Sequence, residues 1–131
     1  MKRILLIDDD DGMRSVLTRT LQHANYEVVS CANGREGLER ATDGTPIDLV
    51  ITDLIMPDVE GVEVIINLKR LHPGLSIIAI SGGGRNSPAR YLDIADMVGA
   101  DATLAKPFSN DELLETVRQI LDKDPATAAE S

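Results

Sequence analysis

The sequence predicts an α/β domain built on a parallel sheet, and three observations predict it. Short aliphatic runs alternate with longer stretches of helical period, the apolar content is 43% of the chain with only 2% aromatic residues, and no proline-, serine- or glycine-rich linker divides the 131 residues. Strand-length runs alternating with helix-length segments are the pattern of strands joined by crossover helices. A chain of this length buries roughly two-thirds of its unfolded surface, which is enough to fold as one domain without disulfides.

Five strands fit: Ile4–Ile7, Val28–Cys31, Leu49–Thr52, Ile77–Ile80 and Ala102–Ala105. The first, third and fourth are nearly all apolar, as strands covered on both faces must be, so these three form the centre of the sheet. Met13, Val16, Leu17 and Leu21 mark the buried stripe of a first helix, Leu38 and Ala41 a short second one, and Val62, Ile65, Ile66 and Leu68 a third. Ser87-Pro88 opens a fourth helix carrying Leu92, Ala95 and Val98, which Gly99 stops. Ser109-Asn110-Asp111-Glu112 reads as a capping box ahead of Leu113, Val117 and Ile120, so the last helix covers about 109–122. Residues 1–122 make the domain, and 123–131 are expected to be a flexible tail.

Charge and cysteine content exclude several functions. With 22 acids against 13 bases the net charge is −9, which opposes direct binding to nucleic acid or anionic membrane. No run approaches the roughly 20 apolar residues of a membrane span. Met1-Lys2-Arg3 before Ile4–Ile7 imitates a signal peptide, but Asp8 ends the apolar run at once. Cys31 is the single cysteine, so no internal disulfide forms, and the chain suits a reducing cytoplasm.

In a parallel sheet ligands collect at the carboxyl ends of the strands. Here those ends carry Asp8-Asp9-Asp10-Asp11, Asp53, Ser81 and Lys106. Asp8, Asp9 and Asp53 repel one another unless a cation sits between them, and an all-oxygen donor set suits Mg2+, which typically takes one or two carboxylates and keeps waters and a phosphate oxygen as further ligands. Asp10 and Asp11 have a plainer role as cap and dipole partners of the first helix. A carboxylate attacks phosphorus when positive charge neutralises the transferring oxygens. Asp53 is the candidate nucleophile, Lys106 the counter-charge and Ser81 a hydroxyl donor to a phosphoryl oxygen.

These residues resemble a known family. Asp8-Asp9 after an aliphatic strand, Asp53 followed by Leu54-Ile55-Met56-Pro57 and Gly61, Ser81-Gly82, and Lys106-Pro107-Phe108 are similar to the motifs of the receiver domain of two-component response regulators, over about residues 2–122. The resemblance implies a flavodoxin-like (βα)5 three-layer sandwich with a five-stranded parallel sheet. It also implies a single-domain signalling switch rather than a turnover enzyme. Asp53 would accept a phosphoryl group from a histidine kinase, a phosphotransfer protein or a small phosphodonor. Asp9 and Asp53 would bind Mg2+ directly, Asp8 through water, and the Ile55 backbone carbonyl would complete the protein ligands. A downstream protein would read the face formed by the fourth helix, fifth strand and fifth helix, and a dimer formed on phosphorylation is compatible with that.

Two features depart from the family pattern. Thr103 stands where the family often has an aromatic switch residue, and the stretch from Ser81 to Lys106 is a few residues longer than is common, with Gly82-Gly83-Gly84 loosening it. The relay from phosphorylation to output must differ from the common serine-to-aromatic coupling. Tyr91 and Phe108 are the remaining aromatic candidates, and packing is the plainer role for each.

Three rival readings fit less well. An aspartate-nucleophile phosphatase needs a carboxylate two residues after the nucleophile, where this chain has Ile55. A flavodoxin-like nucleotide carrier binds phosphate after the first strand, where four aspartates would repel it, and the glycine loop lacks the lysine and hydroxyl of a P-loop. A receiver that never takes phosphate would be expected to lack one of the five site residues. His23 and His72 lie near helix ends and are expected on the surface, not in a phosphorelay.

Overall fold

The computed structural model describes residues 1–54, 61–81 and 99–122. Strands β1 (Arg3–Ile7), β2 (Glu27–Cys31), β3 (Leu49–Asp53), β4 (Ser76–Ser81) and β5 (Ala102–Ala105) alternate with helices α1 (Asp11–His23), α2 (Gly34–Thr42) and α3 (Gly61–Leu71), and the C-terminal helix spans Asn110–Leu121. The expected fourth helix, the glycine run at 82–84, Ile55, Tyr91 and the tail 123–131 lie outside the described residues.

The strands form one parallel sheet in the order β2-β1-β3-β4-β5, so the three most apolar strands do take the centre. Side chains alternate along each strand between two cores. Leu5, Ile7, Val50, Ile77 and Ala79 face Ala41, Val64, Ile65 and Leu68 from α2 and α3. Ile4, Leu6, Leu49, Ile51, Ile78 and Ile80 face Leu17 and Leu21 of α1 and Leu113 and Val117 of the C-terminal helix. The result is a flavodoxin-like three-layer sandwich. Each fully buried Leu or Ile contributes about 1.5–3 kcal/mol, so aliphatic packing alone supplies what the few aromatics cannot.

Local signals fix the helix ends. Asp10 caps α1 by accepting from Met13 N–H at 3.0 Å. Asn33 caps α2 by accepting from Glu36 N–H at 2.9 Å, while the Glu36 carboxylate accepts from Ala32 N–H at 2.9 Å. Ser109 caps the C-terminal helix by accepting from Glu112 N–H at 3.1 Å. Gly99 has φ 107°, a left-handed conformation that favours glycine.

Two stripe assignments need correction. Val16 is 54% exposed and Ile66 39% exposed. In α1 the inward line is Met13, Leu17 and Leu21 at four-residue spacing, and Val16 falls off its edge towards solvent. In α3 Val64, Ile65 and Leu68 fill the inward face, and Ile66 is turned past it.

Candidate phosphoryl-transfer and metal site

The ladder registers decide which side chains meet. β1 pairs with β3 from Ile4↔Leu49 to Ile7↔Thr52, so Asp8 follows β1 directly beside Asp53 at the end of β3. Asp53 is in turn level with Ile80, one residue before Ser81. Ser81 is level with Ala105, and Lys106 N–H donates to the Ser81 carbonyl at 2.8 Å. The sheet therefore carries all four predicted strand ends to one rim.

Carboxylate oxygens of Asp8, Asp9 and Asp53 lie within 4.8 Å of one another. Asp8 is 1% exposed and Asp53 7% exposed, whereas Asp9 faces solvent. The Lys106 ammonium donates to Asp53 Oδ2 at 3.1 Å. The Lys106-Pro107 peptide is cis. Phe108 packs half-buried against the core shared by α1 and the C-terminal helix. Thr103 is half-buried at the middle of β5.

Electrostatics follow from this crowding. Burial pushes the Asp8 carboxyl above its ordinary pKa, the charges of Asp53 and Asp9 push the same way, and the Asp10 N–H at 2.9 Å and Lys106 work against them. For Lys106, burial alone would lower the pKa, but the Asp53 charge and hydrogen bond, with Asp8 and Asp10, outweigh it and hold the ammonium above its ordinary value. The lysine stays protonated at any physiological pH.

Two buried oxygens on this rim, Asp8 Oδ2 and Ser81 Oγ, have no hydrogen-bond partner among the described residues. Buried polar atoms without partners are uncommon and point to a missing ligand or ion. The donor set fits a hard divalent cation: it offers only oxygens, and octahedral Mg2+ ligands at about 2.1 Å stand roughly 3–4 Å apart, a small closure from the spacing here. Asp8, Asp9 and Asp53 are the described residues that would hold the ion. Ile55, the expected carbonyl ligand, lies outside them.

Gly61, noted in the sequence only as part of a motif, has a physical role at this rim. A Cβ there would stand 2.0 Å from the Asp53 carbonyl oxygen and 2.5 Å from Leu54 Cα. The start of α3 thus abuts the Asp53 backbone, with Gly61 N–H donating to the Leu54 carbonyl at 2.9 Å. Sequence reasoning missed Arg14, whose guanidinium donates to the Asp8 backbone carbonyl at 2.8 Å and pairs with Asp11. Its signal was its place in the first turn of α1, since helical side chains lean back towards the N-terminus and an arginine there reaches the preceding loop. A groove of about 900 Å³ lies at the opposite rim between Pro46 and Leu75, away from the acid cluster.

Comparison with known proteins agrees with this geometry. The profile of the response regulator receiver domain matches residues 4–118. The response regulator receiver protein CpdR of Brucella abortus is 32% identical, the match covering 92% of this chain and 98% of CpdR. Other relatives are longer: the chain is 35% identical to a segment of the sensor kinase CckA of Brucella abortus but spans 12% of its length. Among solved structures, a CheY-like receiver domain protein from Methanospirillum hungatei superposes with TM-score 0.84 and 30% identity over 100% of this chain and 99% of that one. The response regulator TrrA of Thermotoga maritima, solved in complex with Mg(2+)-BeF, superposes with TM-score 0.81 and 36% identity over 92% of this chain and 100% of its own. On fold, rim chemistry and sequence alike, the chain belongs to the response regulator receiver domain family, a family of phosphorylation-dependent signalling modules.

Proposed function

We propose that Asp53 is the phosphoacceptor of this receiver and that Mg2+ assists the transfer. The observation that carries the reading is the Asp53 carboxylate bonded to Lys106 at 3.1 Å inside a cluster whose other carboxylates, Asp8 and Asp9, lie within 4.8 Å. An Asp53 oxygen attacks phosphorus, a P–O bond forms to give an acyl phosphate, and the bond to the donor breaks. With a phosphohistidine donor the leaving imidazole nitrogen takes up a proton. The Lys106 ammonium balances charge on a phosphoryl oxygen, and the Ser81 hydroxyl, buried and without a partner among the described residues, donates to another. Bound Mg2+ would supply charge neutralisation and orientation for the same oxygens.

In this reading Asp9 and Asp53 would hold the ion, Asp8 would assist through water, and the carbonyl of Ile55, which lies outside the described residues, would be the remaining protein ligand. The TrrA complex with Mg(2+)-BeF supports it, because a beryllium fluoride group has the tetrahedral shape of a phosphoryl group. Phosphate comes from a histidine kinase or a phosphotransfer protein in the cytoplasm. Residues 1–122 act as the receiver, and the tail 123–131 takes no part in the transfer. The output partner binds at β5 and the C-terminal helix, and the expected fourth helix, the third part of that face, lies outside the described residues; the relay does not use an aromatic residue at position 103, which is Thr103. No helix among the described residues is long and apolar enough to cross a membrane.

The test is incubation with acetyl phosphate and MgCl2, followed by intact-mass measurement. One added phosphoryl group that depends on Mg2+ and disappears in Asp53→Ala is expected. No adduct with any small donor or histidine-kinase phosphodonor would defeat the reading.

A further inference from the structure

The turn that carries Asp8 and Asp9 is closed by a side chain with no part in the proposed transfer. Asp8 is buried, and the sheet provides for its N–H, which donates to the Cys31 carbonyl at 3.1 Å. Its carbonyl points past the end of the ladder, and Arg14 Nη1 donates to it at 2.8 Å. Arg14 N–H also donates to the Asp10 carbonyl at 2.8 Å, so backbone and side chain of one residue grip the turn at two points. Within the turn, Asp8 Oδ1 accepts from Asp10 N–H at 2.9 Å, and the buried Oδ2 has no hydrogen-bond partner among the described residues. The Arg14 side chain is only 20% exposed, while that of its other partner, Asp11, is 86% exposed. The bond to the Asp8 carbonyl is therefore the one shielded from water, and the pair with Asp11 is screened.

We infer that Arg14 is a positioning residue for the metal site, holding the backbone of Asp8 and Asp9 so that their carboxylates are set for a divalent cation before it arrives. The inference rests on the reading of the rim as a Mg2+ site. Charge and position make opposite predictions. Removing a cation from beside the cluster strengthens binding of Mg2+ by electrostatics alone. Loss of a partner that orients ligands weakens metal affinity, typically about 10- to 100-fold. A weakened site on removal of a positive charge is thus a signature that only positioning produces.

The experiment is a MgCl2 titration of the wild type, Arg14→Lys and Arg14→Gln, followed by backbone amide shifts in ¹H–¹⁵N spectra, with metal-free melting curves measured alongside. Expected is an affinity loss of about tenfold in Arg14→Gln, with amide shifts in the metal-free spectrum confined to the β1–α1 turn. Arg14→Lys, which keeps the charge but loses the planar fork, falls between the two, about threefold weaker than wild type. If Arg14→Gln does not fold, the lysine variant decides alone. Mg2+ affinity equal to or tighter than wild type in the folded variants overturns the inference while leaving the metal site intact. A wild type that binds no Mg2+ overturns both.

Discussion

The two rims of the sheet treat their polar groups in opposite ways. At the rim where the strands begin, charged side chains find partners. Lys69 donates to the Leu75 carbonyl at 2.7 Å and pairs with Asp101 at 3.2 Å, and the same Asp101 oxygen accepts from Ile77 N–H at 2.8 Å. Arg3 pairs with Glu27 at 2.9 Å, and its N–H donates to Asp48 at 2.8 Å. His72 shares a hydrogen bond with the Ala41 carbonyl at 3.0 Å. At the rim where the strands end, three carboxylates crowd together and two buried oxygens lack partners among the described residues. One end of the molecule is built for stability, and the other stores the cost of being ready for a ligand.

Substitutions at the two rims should therefore differ in sign as well as size. The largest effect is expected from Gly61→Ala, because the new methyl group collides with the backbone of Asp53 rather than with a flexible side chain. A loss of about 3–4 kcal/mol in urea unfolding is expected, and a loss under 1 kcal/mol would mean that α3 does not brace the site so closely.

At the opposite rim Asp101→Ala leaves Ile77 N–H without its carboxylate acceptor and removes the ion-pair partner of Lys69, which keeps its bond to the Leu75 carbonyl. A destabilisation of about 2 kcal/mol is expected, with phosphorylation by acetyl phosphate within about twofold of wild type. A large change in phosphorylation rate with unchanged stability would erase the contrast between the rims.

Asp8→Asn should go the other way. Because the folded-state pKa of Asp8 is raised, its contribution to stability is favourable below the unfolded value and is lost as pH rises through the folded one. At pH 7 the ionised carboxylate is a cost, so the metal-free variant should be more stable by about 1 kcal/mol, with the gain fading towards pH 4. Saturating Mg2+ should remove or reverse the gain, since only the intact site is stabilised by binding. A metal-free variant less stable at pH 7 would show that Asp8 is not held against repulsion.

The smallest effect belongs to Val16→Ala. Its exposure places it outside the core, and a change within about 0.5 kcal/mol is expected from the melting temperature.

The sheet and its rim were legible in the sequence because both depend on strand pattern. Aliphatic runs bounded by polar residues mark strand ends, and in a parallel sheet those ends share a rim, so Asp8, Asp53, Ser81 and Lys106 converge without knowledge of any contact. Helix faces were less legible. Val16 and Ile66 are apolar at helical spacing, and only the tilt of each helix on the sheet decides which of two neighbouring positions turns inward. Arg14 was missed for a different reason: its place in the first turn of α1 hints at contact with the preceding loop, but an arginine on a helix looks like a solvated residue until the path of that loop is known. The close approach at Gly61 belongs to the same class, since a motif glycine does not reveal which backbone it must clear.

Locating the phosphoryl group chemically tests the central claim most directly. Borohydride reduction of the phosphorylated protein converts an aspartyl phosphate to homoserine, and tandem mass spectrometry then reads its position. Homoserine at residue 53, and at none of 8, 9, 10 or 11, is the predicted result. Homoserine at any of those four positions, with Asp53 unchanged, would contradict the account.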